Sequence, residues 1–188
     1  MKDDGTSVWK KQVKCMELFD TMKKRRPVKR FKRLPIPDDK LNSVLGSMRL
    51  APSAANSQPW KFVVVRDDQM KQRVASACQG QKFIADAPVL VVGCATIAEA
   101  YPYLGMYMSS YPMDMGLAFG SGELAAFHEG LAVHWVYQFH NEKIQELLSI
   151  PSGDVNVVFI MALGFSDEDG EPDGRKNLSE IVRYEKYS

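Results

Sequence analysis

The chain has few cysteines and histidines, and neither residue type forms a pattern typical of a site. Cys15, Cys78 and Cys94 are far apart, odd in number and without a CxxC pair, which argues against a disulfide framework and against a zinc site. They are best interpreted as reduced thiols of a cytosolic protein. The three histidines recur every six residues from His128, a spacing that matches neither one helix face nor a metal-ligand pattern. We therefore expect no metal centre.

The chain also lacks a long apolar run and a net charge of one sign. No apolar segment approaches the roughly 20 residues that a membrane-spanning helix needs, and Met1–Lys14 has no apolar stretch of the secretory-signal kind. The 24 Lys and Arg residues nearly balance the 23 Asp and Glu residues, so composition gives no global electrostatic case for binding nucleic acid. We expect a cytoplasmic protein that has neither a membrane nor a nucleic acid as its partner.

Motifs of hydrolases and dinucleotide-binding proteins are missing as well. There is no GxSxG elbow, and Gly120-Ser121-Gly122 lacks the third glycine of a dinucleotide fingerprint and falls inside a predicted helix. Glu123 and Glu129 in that helix have no obvious partner, and we expect Glu123 to hydrogen-bond a neighbour rather than act as a general base. His134 is expected to be a satisfied core histidine. Any chemistry is therefore expected to come from a cofactor, with no catalytic side chain.

The length of 188 residues, 45% of them hydrophobic, is enough for one domain with a sizeable core. We treat 1–188 as that domain, with a frayed start at 1–6 and a C-terminal arm at 175–188. Helices are predicted at 7–26, from an Asp38 N-cap to Pro52, at 69–78, at 113–130 and at 142–148, and strands at 62–65, 88–93, 131–136 and 155–163. This order predicts an α+β (three-layer α/β/α) fold with one mixed sheet.

Two predicted segments have an unusual composition. The helix at 113–130 is apolar or small all round, which predicts burial on every side and a close approach by a second helix at a dimer axis. Tyr101–Pro112 contains four tyrosines and two prolines, which suggests an aromatic loop or short helix that could serve as a lid.

The most informative stretch is Ala51–Trp60, which joins a predicted helix to a predicted strand. Pro52 and Pro59 fix φ and remove two backbone donors, so the loop is stiff. Short polar side chains follow one another along it, at Ser53, Asn56, Ser57 and Gln58. Such a loop suits a flat, heteroatom-rich ligand, although an ordinary helix-to-strand turn is an equally good interpretation of the stretch alone.

Basic residues are concentrated near the start of the chain, eight of them between Lys23 and Arg33. Arginines here could hold a phosphate, because their planar forks match its oxygens. A solvated charged face is the commoner meaning of such a run, and a nucleic-acid patch is disfavoured by the lack of interleaved aromatic residues. A second basic pair, Arg175-Lys176, follows an acidic loop at 164–174.

The order of several motifs resembles the nitroreductase family of FMN-dependent oxidoreductases. The two N-terminal motifs are the most specific, namely Arg25-Arg26-Pro27-Val28-Lys29-Arg30-Phe31 and Ala51-Pro52-Ser53-Ala54-Ala55-Asn56-Ser57-Gln58-Pro59-Trp60. Supporting matches follow in the same order at Ala87-Pro88, Asp114, Ala125-Ala126, Gly130-Leu131, Trp135, Ile150-Pro151, Leu163-Gly164-Phe165 and Arg175-Lys176-Asn177-Leu178. The likeness therefore covers nearly the whole chain.

The resemblance implies a nitroreductase-like fold with a mainly antiparallel sheet, in a domain-swapped homodimer that holds FMN at its interface. It also implies an enzyme that takes electrons from NADH or NADPH and passes them, in ping-pong fashion, to a small planar acceptor such as a nitroaromatic or a quinone. The implied FMN contacts are Arg25, Arg26, Pro27, Lys29, Pro52, Ser53, Asn56, Gln58, His134, Trp135, Val136, Tyr137, Arg175 and Lys176. The loop residues among them would reach the flavin of the other subunit.

The chain departs from the family at Pro27, where the family usually has Ser, so a hydroxyl and a backbone donor are lost near the phosphate. Lys29 would lie at the pyrimidine edge of the flavin, where a cation stabilises the charge of the reduced ring. Flavin fragmentation, reductive dehalogenation and a non-catalytic flavin-binding role remain alternatives within the same fold.

Overall fold

A computed structural model describes residues 18–187 of the chain. Seven α-helices are present in this range: α1 Leu18–Lys24, α2 Asp38–Arg49, α3 Asp68–Ala77, α4 Phe83–Asp86, α5 Tyr111–His128, α6 Asn141–Leu148 and α7 Leu178–Ile181. Four strands are present: β1 Trp60–Val65, β2 Val89–Thr96, β3 Ala132–Val136 and β4 Val155–Gly164. Two short 3-10 turns lie at Ala54–Asn56 and Ile97–Glu99.

The four strands form one sheet in the order β1-β2-β4-β3, and every neighbouring pair is antiparallel. A parallel element is added at the β3 edge by a bridge between Pro27 and Val133. All eight residues of β2 are buried, because this strand lies inside the sheet and is covered on both faces. The predicted mainly antiparallel sheet is confirmed.

Helices cover both faces of this sheet, so the predicted three-layer arrangement is also confirmed. One core places α2 and α5 against alternate residues of β2, such as Val89 and Val91. The other core places α3, α4 and α6 against the intervening residues, such as Leu90 and Val92. Residues of β2 alternate between the cores because successive side chains of a strand point to opposite faces.

Two glycines allow α5 to pack closely on its neighbours. A Cβ atom at Gly122 would lie 2.6 Å from Met48 Cγ of α2, and one at Gly93 of β2 would lie 2.4 Å from Phe119 Cε2. Both distances are shorter than real carbon contacts, so no larger residue fits without movement. Phe119 fills the space over Gly93 and is fully buried.

Some predicted boundaries are wrong. Asp38 is the first residue of α2 rather than its N-cap, since Pro37 occupies the cap position and no side chain caps the helix. The short helix α4 was not predicted, and β2 extends three residues beyond Gly93. The predicted first helix ends at Lys24, before Pro27, as expected. Its start, the frayed end and Cys15 lie outside the described residues.

The prediction that α5 is buried on every side is wrong for the single chain. Met113 and Leu117 are exposed, and nothing lies within 4 Å of a Cβ built at Gly116 or Gly120. One face of the helix is therefore left open by the rest of the described chain. None of the described helices is both long and apolar enough to cross a membrane.

Candidate functional site

The loop between α2 and β1 is held in an unusual backbone conformation. Ala55, Asn56 and Gln58 all have positive φ values, of 52°, 57° and 49°. Non-glycine residues adopt this region rarely, and such residues persist only where the surroundings fix them. The buried carboxylate of Asp114 on α5 provides one such fixation, because its Oδ1 accepts a hydrogen bond from the Ala54 N–H at 2.8 Å.

The side chains of the loop also bond to each other. The Gln58 N–H donates to Ser53 Oγ at 3.0 Å, and the Gln58 side-chain amide donates to the carbonyl oxygen and to Oδ1 of Asn56. Asn56 and Gln58 nevertheless remain exposed, whereas Pro59 is buried. The loop therefore presents pre-arranged polar groups at the surface, as its composition predicted.

Three cations of the basic segment, Arg26, Arg30 and Lys32, pair with carboxylates of the acidic loop. Glu168 Oε2 accepts the backbone N–H groups of Lys29 and Arg30 at 3.1 and 3.0 Å. The Glu168 carboxylate also lies 3.7 Å from the guanidinium of Arg26. These contacts, led by the Lys29 N–H, lower the pKa of Glu168. Lys32 pairs with Asp167 at 3.4 Å in the same way. The acidic loop thus fixes the basic segment beside the sheet.

A pocket of about 500 Å³ opens beside β3, and we call it the Arg25 pocket. It is lined by Arg25, Pro27, Glu123, Val133, His134, Trp135, Tyr137, Asp173 and Arg175. The Pro27–Val133 bridge and the hydrogen bond from the Val28 N–H to the Val133 carbonyl hold the basic segment against the strand. A pocket of this size is in the range that holds cofactors and drug-sized ligands.

Charged groups occupy one side of the Arg25 pocket. Arg25 Nη1 lies 3.5 Å from Glu123 Oε1, and both side chains are largely covered. Burial raises the pKa of Glu123, while the charges of Arg25 and Arg175 oppose that rise. Arg175 folds back on its own loop, donating to the carbonyl oxygens of Asp173 and Gly174 at 2.7 and 3.0 Å.

Aromatic groups form another part of the lining of the Arg25 pocket. The rings of Trp135 and Tyr137 lie 6.1 Å apart, and each also contacts Phe159. Tyr137 is 66% exposed, so its ring is open to a ligand. Trp135 Nε1 is a buried nitrogen for which no hydrogen-bond partner is found in the described part of the chain. A flat ligand with acceptor atoms would satisfy both features.

His134 is half-buried, with its ring 4.7 Å from the ring of Phe83. Burial lowers its pKa, and the charge of Lys29 acts in the same direction, so the imidazole is neutral. Its Nδ1 atom is buried without a partner among residues 18–187. A hydrogen bond with the Val28 backbone satisfies part of the imidazole, so His134 is a partly satisfied histidine that lines the pocket.

The structure brings together six of the fourteen predicted FMN contacts in this pocket: Arg25, Pro27, His134, Trp135, Tyr137 and Arg175. Arg26 faces Glu168 instead, Lys29 is exposed with its Nζ 5.9 Å from the Phe83 ring centre, and the Val136 side chain is buried in the core. Lys176 is exposed. Pro52, Ser53, Asn56 and Gln58 do not line the Arg25 pocket of their own chain.

Three lining residues were missed as site residues, namely Glu123, Val133 and Asp173. The sequence predicted only that Glu123 bonds a neighbour, which its pairing with Arg25 confirms. A carboxylate without an evident partner in a largely apolar helix was the available signal for Glu123. Asp173 is one of five acidic residues in its loop, and nothing local distinguishes it. Within the described residues no cluster of His, Cys, Asp or Glu could hold a metal ion.

Comparisons with known proteins identify the family of this chain. Residues 22–96 match the model of the Nitroreductase family. A candidate NADH dehydrogenase/NAD(P)H nitroreductase of Archaeoglobus fulgidus is 31% identical over 177 residues, covering 90% of this chain and 97% of that protein. The chain belongs to the nitroreductase family. This membership makes it an oxidoreductase by class.

Other members of the nitroreductase family show the breadth of the match. An iodotyrosine deiodinase of Thermotoga neapolitana is 25% identical over 195 residues, covering 90% of this chain and 98% of that protein. The crystal structure of the NADPH:FMN oxidoreductase of Vibrio harveyi in complex with NAD+ superimposes with a TM-score of 0.83 at 21% identity, over 91% of this chain and 78% of that one. The second comparison establishes a shared fold.

The residue types that line the Arg25 pocket are suited to a flavin mononucleotide. The arginines at 25 and 175 could pair with a phosphate, and Trp135 and Tyr137 could flank a ring system. The unpaired Trp135 Nε1 and His134 Nδ1 atoms could bond its heteroatoms. Pro27 is a poorer fit, because it has neither a hydroxyl nor a backbone N–H to offer to a phosphate.

Proposed function

We propose that this protein is an FMN-dependent oxidoreductase that takes hydride from NADH or NADPH and passes the electrons to a small planar acceptor by a ping-pong mechanism. The observation that carries the proposal is the composition of the Arg25 pocket, whose lining combines two arginines with two adjacent aromatic rings. Bound FMN would supply the electron-transfer chemistry. The chain itself would orient the ring, place charge around it and leave room for one planar substrate.

The proposal assigns no catalytic side chain to the Arg25 pocket. Its titratable lining groups are the two arginines, Glu123, Asp173, His134 and Tyr137. His134 is neutral and Tyr137, whose pKa burial raises, is protonated, so both can donate hydrogen bonds to a flat ligand. None of these groups forms a nucleophile–base pair within the described residues. Binding and orientation are therefore the functions that the geometry supports for them.

We further propose a homodimer in which the α2–β1 loop of one subunit completes the FMN site of the other. Three features support it. The polar side chains of the loop do not line the Arg25 pocket of their own chain, one face of α5 with Gly116 and Gly120 is open, and Leu178 and Ile181 of the C-terminal arm are 74% and 60% exposed. Exposed apolar side chains on an arm are typical of a segment that packs on another subunit.

The visible absorption spectrum tests the proposed function. The purified protein, supplied with FMN, should show flavin absorbance that bleaches when NADH or NADPH is added without oxygen and returns with a nitroaromatic or quinone. Arg25→Ala should weaken FMN binding, whereas Arg33→Ala, which removes an equally charged but 85% exposed side chain, should not. Protein that binds no flavin would contradict the proposal. Flavin that binds but is reduced no faster than free flavin would favour a non-catalytic binding role.

Reductive dehalogenation is a second candidate, favoured by the match to the deiodinase of Thermotoga neapolitana. The segment between β2 and α5 carries exposed Tyr103, Met106 and Tyr107. Aromatic and Met side chains could contact an aromatic substrate. Single-turnover mixing of the reduced protein with a halogenated phenol and with a nitroaromatic separates the two candidates. Release of halide at a rate above that of free reduced flavin would favour dehalogenation.

A further inference from the structure

The Arg25 pocket contains as many acidic as basic lining residues. Arg25 and Arg175 carry two positive charges, while Glu123 and Asp173 carry two negative charges when ionised. His134 and Tyr137 add no charge, because their shifted pKa values keep both neutral. A phosphate dianion is bound best where unpaired cations face it, and here each cation already has an oxygen partner.

Arg25 has the Glu123 carboxylate as its partner in the pocket. Its Nη1 atom lies 3.5 Å from Glu123 Oε1, and the Glu123 side chain is only 14% exposed. A ligand phosphate that approaches Arg25 must therefore replace this carboxylate or bind beside it. In a largely covered site two neighbouring anions repel strongly, because the effective dielectric constant is lower than that of water.

The backbone beside this pair offers no compensation. Pro27 supplies no N–H, and the following Val28 N–H is already bonded to the Val133 carbonyl at 3.3 Å. The next two N–H groups, of Lys29 and Arg30, are bonded to Glu168. Three consecutive backbone donors of the basic segment are thus occupied within the chain, and the residue before them has none.

We propose that Glu123 and Asp173 are specificity-determining residues that keep the charge of the Arg25 pocket near zero, so that the flavin phosphate contributes little and flavin is an exchangeable ligand. This inference rests on the proposed function, since it concerns the same pocket. FMN and riboflavin then bind with similar affinity, because the aromatic residues Trp135 and Tyr137 provide most of the contacts that hold either molecule.

Binding titrations of the full-length protein with FMN and with riboflavin test the proposal. The two flavins differ by the phosphate alone. The wild-type protein should bind them with dissociation constants within about tenfold of each other, a difference of about 1.4 kcal/mol. Glu123→Gln keeps the shape of the side chain and removes its charge. It should tighten FMN by about tenfold and change riboflavin by less than about twofold.

Two further variants keep the test decisive. Asp173→Asn lies on the exposed loop, does not threaten folding, and should tighten FMN in the same direction to a smaller extent. Glu129→Gln removes the same charge just after the end of α5, where Glu129 pairs with Lys40 and does not line the pocket, so it should leave both affinities unchanged.

The outcomes separate the two proposals. If the wild type binds both flavins but Glu123→Gln leaves FMN binding unchanged or weaker, the charge proposal is wrong and the proposed function stands. A wild-type preference for FMN above about tenfold would also overturn it. If neither the wild type nor the variants bind either flavin, the proposed function itself is wrong. Binding of FMN by Glu123→Gln alone would show that the Glu123 charge opposes FMN, but it would contradict the proposed function of the wild type.

Discussion

The carboxylate of Asp114 joins the start of α5 to the loop that precedes β1, because its Oδ1 accepts the Ala54 N–H at 2.8 Å. Its Oδ2 accepts the Ser110 hydroxyl at 2.6 Å, so both oxygens are used although the side chain is fully buried. The residues whose φ values are positive follow directly in the chain. The loop conformation therefore depends on a residue far away in the sequence.

Asp114→Ala should lower the free energy of unfolding by about 3 kcal/mol, because it leaves a buried N–H and a buried hydroxyl without their charged acceptor. Asp114→Asn should cost less, since the amide oxygen can still accept one of the two bonds. Urea unfolding measures both. Asp86→Ala, which breaks the exposed pair with Arg33, is the control and should change stability by less than about 1 kcal/mol. Equal losses of stability in all three variants would contradict the role assigned to Asp114.

Gly93→Ala tests the contact between β2 and α5. The added Cβ would lie 2.4 Å from Phe119 Cε2 and 2.9 Å from Met115 Sδ, and both side chains are fully buried. Overpacking of this kind should lower stability by roughly 1–3 kcal/mol. Gly46→Ala on α2 is a suitable comparison, because nothing lies within 4 Å of its Cβ and the helix should gain up to about 1 kcal/mol. Thermal unfolding should therefore move in opposite directions for the two variants.

Cys78 and Cys94 should be unreactive in the folded protein. Burial raises the pKa of the Cys78 thiol to about 12 and that of Cys94 to about 11. At about pH 8, where an exposed thiol with a pKa near 8.5 reacts readily, neither forms enough thiolate. Iodoacetamide labelling followed by peptide mass spectrometry should modify these two cysteines only after denaturant is added. Rapid labelling of the native protein at either position would contradict the prediction.

Asn56→Ala and Gln58→Ala should reduce the flavin content of the protein. Both side chains are exposed in the single chain, so stability should change by no more than about 1 kcal/mol, with the larger cost at Asn56, where φ is 57°. The expected loss follows from the proposal that the loop contacts the flavin of the other subunit. The ratio of flavin to protein absorbance after gel filtration measures it. Unchanged flavin content would show that the loop does not contact the flavin.

The stability of Glu123→Gln relative to the wild type should depend on pH. Because burial raises the pKa of Glu123 above its ordinary 4.5, the folded state binds this proton more tightly than the unfolded state. The stabilisation by that proton is fully present below about pH 4.5 and is lost as the pH rises through the elevated pKa of the folded state. The stability of the variant relative to the wild type should therefore increase as the pH rises through this window. Urea unfolding without flavin at both ends of the window checks the sign, and a difference independent of pH would contradict it.

The sequence predicted most of the fold because the deciding signals are local. Pro52 and Pro59 limit the loop, and the apolar runs in β2 and β4 are long enough to read as buried strands. The wrong N-cap at Asp38 follows from the same local reasoning, since Pro37 takes that place through its backbone alone. The four-residue α4 is too short to produce a periodic pattern.

The candidate site was only partly predictable because its charges meet across long separations. Arg25 and Glu123 are 98 residues apart, and their contact depends on how α5 lies over the sheet. A pattern of residue types indicates that Glu123 is unusual in its helix, but it cannot indicate which cation the carboxylate meets. The same holds for the pairing of the basic segment with Glu168, which uses backbone N–H groups that no side-chain motif reveals.

The Arg25 pocket draws its two arginines from distant positions, 25 and 175, and places both beside β3. Because residue 25 is synthesised long before residue 175, a growing chain on the ribosome has no complete Arg25 pocket. If the pocket binds flavin as proposed, the cofactor can bind only after residue 175 has been made. The availability of flavin should then affect the stability of the folded protein rather than the folding of the nascent one.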